Sequence, residues 1–348
     1  MKLALAPIPY FWSADAIRAF YDAVAAWPVD IVYLGETICG KRHVLAFEDW
    51  MTIGEELGEA GKEVVLSTIA LLEAESELAA LARICANGRF PVEANDMGAV
   101  HLLQQGRQTS PGIPGHGNEK YRVGGKNDGS GTVPGGTPDD FIIGPHINAY
   151  NAETLSLLAD LGAMRWVAPV ELSRATLADL QKSRPDGIQT EVFVYGRLPL
   201  AFSARCFTAR AHNLPKDQCD FCCGNYPDGL LLKTQEGKNL FTINGVQIQS
   251  AGQCNLLTAM EELSELRVDI LRIAPQFQGT DVVVQAFHDV LNGDVTAHER
   301  ILAAMDTLPP PGPAGWCNGF WLDEPGMAWK EDIFEEGMFE ERPGTGNR

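Results

Sequence analysis

The chain holds no apolar run near the ~20 residues that a membrane-spanning helix requires, and it is short of positive charge. With 27 Lys and Arg against 46 Asp and Glu, the net charge is −19. A polyanion would be repelled, which argues against nucleic-acid binding by a general electrostatic route. Hydrolytic spacings are missing too: there is no serine–histidine–acid arrangement and no metalloprotease motif, so no nucleophile or metal-bound water is visible. Gly124-Gly125-Lys126 lacks both the following Ser or Thr and the spacing of a phosphate loop. Met1–Trp12 has a single basic residue, Lys2, and Pro7 and Pro9 interrupt its apolar run. It reads as a first strand in preference to a secretory signal. The expectation is a cytoplasmic protein whose 8 cysteines are reduced or metal-bound.

What is present is a globular balance, 45% hydrophobic and 21% charged, on a 348-residue chain long enough for one large α/β domain. Short β-rich runs recur at Leu3–Pro7, Asp30–Gly35, Glu63–Ile69, Phe90–Ala94, Phe141–His146, Arg165–Val170, Glu191–Tyr195 and Asp269–Ile273. Ala14–Ala26, Glu48–Ala60 and Glu73–Ala86, lying between them, carry helical apolar spacing. Strands alternating with helices point to parallel βαβ units, and an α/β fold of (β/α)8 TIM-barrel type is their natural closure. An open doubly wound sheet is the competing arrangement.

Two segments break the rhythm. Residues 106–140 are rich in Gly and Pro with almost no periodicity, which reads as a surface insert. Residues 198–262 form an insertion between the seventh and eighth strands and carry a cysteine cluster. The barrel-like domain then spans residues 1–307. After it, 308–348 hold a Pro-rich spacer, Pro309–Pro313, and an acidic tail in which eight acids between Asp323 and Glu341 face Lys330 alone. A solvated tail is the plain reading.

The cysteines are the densest chemical signal. Cys206, Cys219 and Cys223 stand together with Cys222 beside the last, and Cys39 follows the second strand. Loops after barrel strands gather on one face, so Cys39 can join the others. Thiolates converging from separate loops bind a soft metal, and four of them make a zinc or iron–sulfur site. A dithiol pair at Cys219 and Cys222 is a third reading. Spacing does not choose between Cys222 and Cys223. Cys85, Cys254 and Cys317 have no neighbours in sequence and read as buried apolar groups. At strand ends stand Glu36, Ser67, Asn95, His146, Asn148, Glu171, Ser173 and Arg272, which together could line a pocket. His146 and Glu171 are the candidate catalytic residues, His146 having the placement of a proton-transfer group.

The run from Glu191 to Cys206, Glu-Val-Phe-Val-Tyr-Gly-Arg-Leu-Pro-Leu-Ala-Phe-Ser-Ala-Arg-Cys, resembles the signature of the collagenase-like peptidase U family. Most of that family has a further cysteine where Pro199 stands here. The UbiV subgroup makes this exchange and draws a cysteine from the loop after the second strand. The resemblance to that subgroup extends over Asp30–Glu36, Cys39, Lys41-Arg42, Asp49-Trp50, Val65–Thr68, Tyr150–Ala152, Arg165-Trp166 and Pro169–Arg174. It continues over Leu198–Arg210, Pro215–Asp217, Cys219, Cys222-Cys223, Asn244–Gln247 and Cys317–Gly319. It implies a [4Fe–4S] cluster on Cys39, Cys206, Cys219 and Cys223, with Cys222 spare. It also implies a heterodimer with a UbiU-like sister subunit, and a lipid-carrier protein that presents quinone precursors. The implied activity is oxygen-independent hydroxylation of ubiquinone precursors, with no peptidase activity. The alternatives are a zinc-stabilised structural partner without catalysis and a tRNA-hydroxylating relative.

Overall fold

The computed structural model describes residues 1–109, 140–293 and 298–330. Most of the Gly- and Pro-rich insert and most of the acidic tail lie outside the described residues. In chain order the first strands are β1 (Lys2–Leu5), β2 (Ile31–Leu34), β3 (Glu63–Ser67), β4 (Val92–Ala94), β5 (Phe141–Ile143), β6 (Ala163–Val167) and β7 (Gln189–Gly196). Helices α1 (Ala14–Val24), α2 (Phe47–Glu59), α3 (Glu75–Cys85) and α4 (Met97–Thr109) follow β1 to β4 in turn. After β5 and β6 come α5 (Ala152–Asp160) and α6 (Arg174–Lys182). Several helix starts are set by local chemistry. Ala16 N donates to Ser13 Oγ at 3.2 Å, and Thr154 N donates to Asn151 Oδ1 at 2.8 Å.

The insertion begins with β8 (Pro199–Phe202) and α7 (Phe207–Ala211), and continues through β9 (Leu230–Lys233), β10 (Asn239–Asn244), β11 (Gln247–Ser250) and β12 (Gln253–Asn255). Four of these strands form a separate antiparallel sheet in the order β8-β11-β10-β9. Helix α8 (Met260–Glu265) then leads into β13 (Ile270–Ile273), which pairs parallel with both β1 and β7. That double pairing closes an eight-stranded parallel barrel, as the alternating pattern requires, and rules out the open sheet. Helices α9 (Thr280–Leu291) and α10 (His298–Thr307) follow. The chain after the prolines returns to the barrel: β14 (Trp316–Cys317) pairs with β12, Cys254 standing opposite Cys317, and Trp321 Nε1 donates to Glu262 Oε2 at 2.6 Å.

Alternation along the strands builds two layers. Leu3, Leu5, Val32, Leu34, Val64 and Leu66 pack outward beneath the helices, while Ala4, Ile31, Tyr33, Val65, Ile142, Val167 and Ile270 fill the lumen. The lumen also holds charge. Arg165 Nη2 donates to Glu63 Oε1 at 2.6 Å and Arg165 Nη1 to Tyr33 Oη at 3.0 Å. Tyr33 Oη donates to Glu191 Oε2 at 2.5 Å, and Arg272 Nη1 stands 3.0 Å from Glu191 Oε1 and 2.8 Å from Glu93 Oε1. Each buried carboxylate thus has a cationic or hydroxyl partner, the condition under which charge is tolerated inside. Gly35 leaves β2 at φ +124°, where an added Cβ would stand 2.7 Å from Ser67 O, so the turn that starts the Cys39 loop requires glycine.

Candidate metal centre and barrel mouth

The Cys39 loop is shaped by a carboxylate. Glu36 Oε1 accepts from Ile38 N at 2.8 Å and from Cys39 N at 3.0 Å, folding the chain back after β2. Arg42 anchors the other side of this loop. Its Nη1 donates to Pro9 O at 3.0 Å and its Nη2 to Asn244 Oδ1 at 2.8 Å, so one buried guanidinium joins the loops after β1 and β2 to the insertion. Lys41 makes a second tie, Nζ donating to Lys216 O and Asp217 Oδ1, both at 3.1 Å, two residues before Cys219.

On the insertion side, Cys206 caps the start of α7 and its sulfur accepts from Ala209 N at 3.4 Å. A 3-10 turn over Lys216–Gln218 delivers Cys219, and another over Cys222–Asn225 carries the adjacent pair. The chain enters that second turn through Asp220 (φ 44°) and Phe221 (φ 50°), both left-handed without being glycine. Each such residue costs about 1–2 kcal/mol, and Phe221 is held there by stacking on Phe11 with ring centroids 5.3 Å apart.

These ties bring all five cysteines into one neighbourhood. Cys223 is electrostatically coupled to Cys39, Cys206 and Arg42, and Cys222 to Cys206 and Cys219. Lys216 feels both Cys39 and Cys219. Burial pushes the Cys39 and Cys223 thiols up, with Arg42 opposing it in both cases, and burial followed by Cys206 and Cys219 raises Cys222. Among the described residues, no three Cys, His, Asp or Glu side chains already form a closed metal-binding group. The donor set is nonetheless all sulfur, comes from four separate segments, and has a backbone amide aimed at one sulfur. It fits a thiolate-bound metal or cluster in chemistry. Cys254 and Cys317 are buried in the core, away from this neighbourhood, and Cys85 is raised to about 12 by burial.

A small concavity of about 50 Å³ opens at the carboxyl ends of the barrel strands, where loops of such barrels build their sites. Asn95, His146 and Arg272 line it, as do Arg197, Gln247 and Gln249, which the sequence reading did not single out. The His146 ring meets Phe202 edge-on at 4.6 Å, and burial lowers its pKa to about 4. Asn95 Oδ1 and Gln249 Oε1 are buried without a hydrogen-bond partner among the described residues. Glu171 does not line the concavity; it is exposed and accepts from Tyr150 Oη at 3.1 Å. Asn148 is exposed, and Ser173 caps α6, accepting from Thr176 N at 3.4 Å. Ser67 is buried at the end of β3. The lumen charges left a trace in the sequence: Arg165 and Glu191 stand at the head of apolar strand runs.

A closed parallel barrel carrying a cysteine-rich, partly antiparallel insertion before its last strand defines the class. A family model for peptidase family U32 matches residues 141–330, and the chain belongs to that family. Among solved structures it is similar to a U32 peptidase, at 10% identity, with 79% of this chain and 93% of that one covered and a TM-score of 0.40. A truncated 3-deoxy-D-arabino-heptulosonate 7-phosphate synthase from Thermotoga maritima matches at 8% identity, covering 84% and 87%, with a TM-score of 0.32. A GH18 chitinase from Pseudoalteromonas aurantia matches at 9%, covering 88% and 100%, with a TM-score of 0.37.

Proposed function

We propose that this protein is a UbiV-type subunit of an oxygen-independent hydroxylase acting on ubiquinone precursors in the cytoplasm. It holds a [4Fe–4S] cluster on Cys39, Cys206, Cys219 and Cys223 and works with a UbiU-like partner and a lipid carrier. The observation that carries this reading is the convergence of Cys39 with the insertion cysteines, tied together by Arg42 and Lys41. Membership in family U32 supports it. A four-thiolate cluster supplies one-electron transfer and offers no open iron to a substrate. The chain's own residues would provide four thiolates, an amide donor from Ala209 to Cys206, and the positive charge of Arg42 beside Cys223. His146, lowered to about 4, is neutral near pH 7 and presents imidazole nitrogens at the barrel mouth as donor or acceptor without charge.

Hydroxylation replaces a ring C–H by C–OH, a two-electron oxidation whose oxygen must come from a donor other than O2. Glu171 stands outside the concavity that His146 lines. That separation favours a second reading, in which the partner subunit carries the reacting ring and this chain supplies cluster and surface.

Anaerobic purification with iron and sulfide counting tests the cluster: brown protein with visible absorption is expected, whereas colourless protein with stoichiometric zinc would refute the assignment. Quinone analysis by mass spectrometry after strictly anoxic growth tests the activity. A strain lacking the gene, with no second copy, should lose ubiquinone made without oxygen and keep aerobic synthesis. Unchanged anoxic ubiquinone would overturn the proposal.

A further inference from the structure

A large cavity lies outside the barrel, between α2 and α3, and measures about 570 Å³. Its floor is the outer wall of the barrel at Leu34 and Leu66, and one side is formed by Phe47 and Trp50 of α2. Neighbouring helices normally close to 8–10 Å through interdigitating side chains. Here α3 buries only Leu81 fully and turns Ala79 and Ala80 toward the gap, side chains too small to fill it. The opening has defined ends. At one, Gly40 abuts the Glu77 carboxylate, where any Cβ would overlap, beside the Cys39 loop. At the other, Arg83 of α3 pairs with Glu48 of α2, its guanidinium 4.5 Å from the Phe47 ring centroid. The lining is mostly apolar, with Glu36, Arg42 and His43 at the cysteine end and Ser76 and Glu77 along α3.

We infer that this cleft binds an elongated, apolar small molecule, its hydrocarbon part lying between α2 and α3 and a single polar ring-sized end directed at Cys39. A mostly apolar concavity with a few convergent polar groups is the general form of a ligand site, and such sites commonly measure about 300–1,000 Å³. The volume lies within that range, which favours a small molecule over a docked helix. The identity of the polar end, a phenol-type ring, rests on the function proposed above; the apolar occupant does not.

The experiment measures equilibrium binding of a tritiated phenol bearing a four-isoprenoid tail to the full chain purified anaerobically, with the same phenol lacking the tail as control. The wild-type protein should bind the tailed compound, and the tail-less phenol about tenfold or more weakly. Ala80→Trp, which fills the cleft, should weaken binding by about tenfold or more without altering melting temperature or visible absorption. Leu157→Trp, on the exposed face of α5, should bind as wild type. If Ala80→Trp does not fold, a photoreactive group in the tail decides the matter: labelling should fall on the α2 and α3 peptides. Wild-type affinity in a folded Ala80→Trp, equal binding of both phenols, no binding, or labelling elsewhere would overturn the inference. Colourless protein that still binds the tailed phenol through this cleft would refute the cluster and leave the cleft standing. Brown protein without binding would do the reverse.

Discussion

His146 shows how a position on the barrel changes a residue's chemistry. Its ordinary pKa of 6.5 falls to about 4 because burial disfavours the imidazolium, with Glu93 opposing and Arg272 assisting the drop. Below about pH 6.5 the unfolded chain takes up a proton that the fold refuses, so this contribution to stability is complete above that value and is lost as pH falls through about 4. NMR titration should place the His146 midpoint near 4, and a midpoint at the ordinary value would contradict the burial argument. A residue-scale expectation also separates the adjacent cysteines. Serine at Cys39, Cys206, Cys219 or Cys223 should strip iron from the anaerobic protein, while Cys222→Ser should largely retain it. Cys223 lies beside Arg42, whose hydrogen bonds hold the Cys39 loop to the insertion. Iron loss from Cys222→Ser with retention by Cys223→Ser would reverse the assignment.

At the scale of elements, the insertion is held to the barrel by side chains and not by strand pairing alone. Arg42 bonds Pro9 and Asn244 together, and its guanidinium lies 5.6 Å from the Phe11 ring centroid. Arg42→Met keeps the stem and removes both charge-assisted hydrogen bonds, each worth about 1.5–3 kcal/mol. The expected loss is about 3 kcal/mol, with reduced iron retention because the Cys39 loop and the β10–β11 hairpin are no longer joined. Denaturant titration and iron analysis measure both, and unchanged values would mean the tie is idle. The four-stranded sheet of the insertion was not read from the sequence, although one signal existed. Asn244 and Gln247 pair across a two-residue turn whose first central position is Gly245 at φ 64°, a hairpin preference. The flanking strands are mixed in polarity because the sheet is only partly buried, so their alternation is weak.

For the whole molecule, the lumen network is the test of how the barrel is held. Glu191 is completely buried and serves Tyr33 and Arg272 at once. Glu191→Leu leaves Arg272 with half its compensation and should destabilise the protein by about 3–5 kcal/mol, read as a fall in the denaturation midpoint. A loss below 1 kcal/mol would show that the network is not needed for closure. At the level of assembly, co-expression with a UbiU-like partner should yield a 1:1 complex on size exclusion, with an interface above ~1,000 Å² if stable. Failure to co-purify anaerobically at both low and high salt would count against the proposed pairing. Among the described residues no helix is long and apolar enough to cross a membrane.

The amino-acid sequence alone determined the eight barrel strands and the alternating helices, because apolar periodicity is a local property that each segment carries by itself. It also marked Cys39 and the insertion cysteines, since ligand-type residues are recognisable by kind and crowding. Tertiary structure decided the rest. Closure depends on β13 meeting both β1 and β7, a contact between chain ends that no local pattern encodes. Arg42 and Lys41 became ties only when two loops and the insertion met in space. Glu171 and His146, alike as polar residues at strand ends, parted because one loop turned its carboxylate to solvent and the other kept its ring at the mouth. The cleft beside Cys39 exists because small residues of α3 face α2 across a gap, and only the packing of helices against one another reveals that gap.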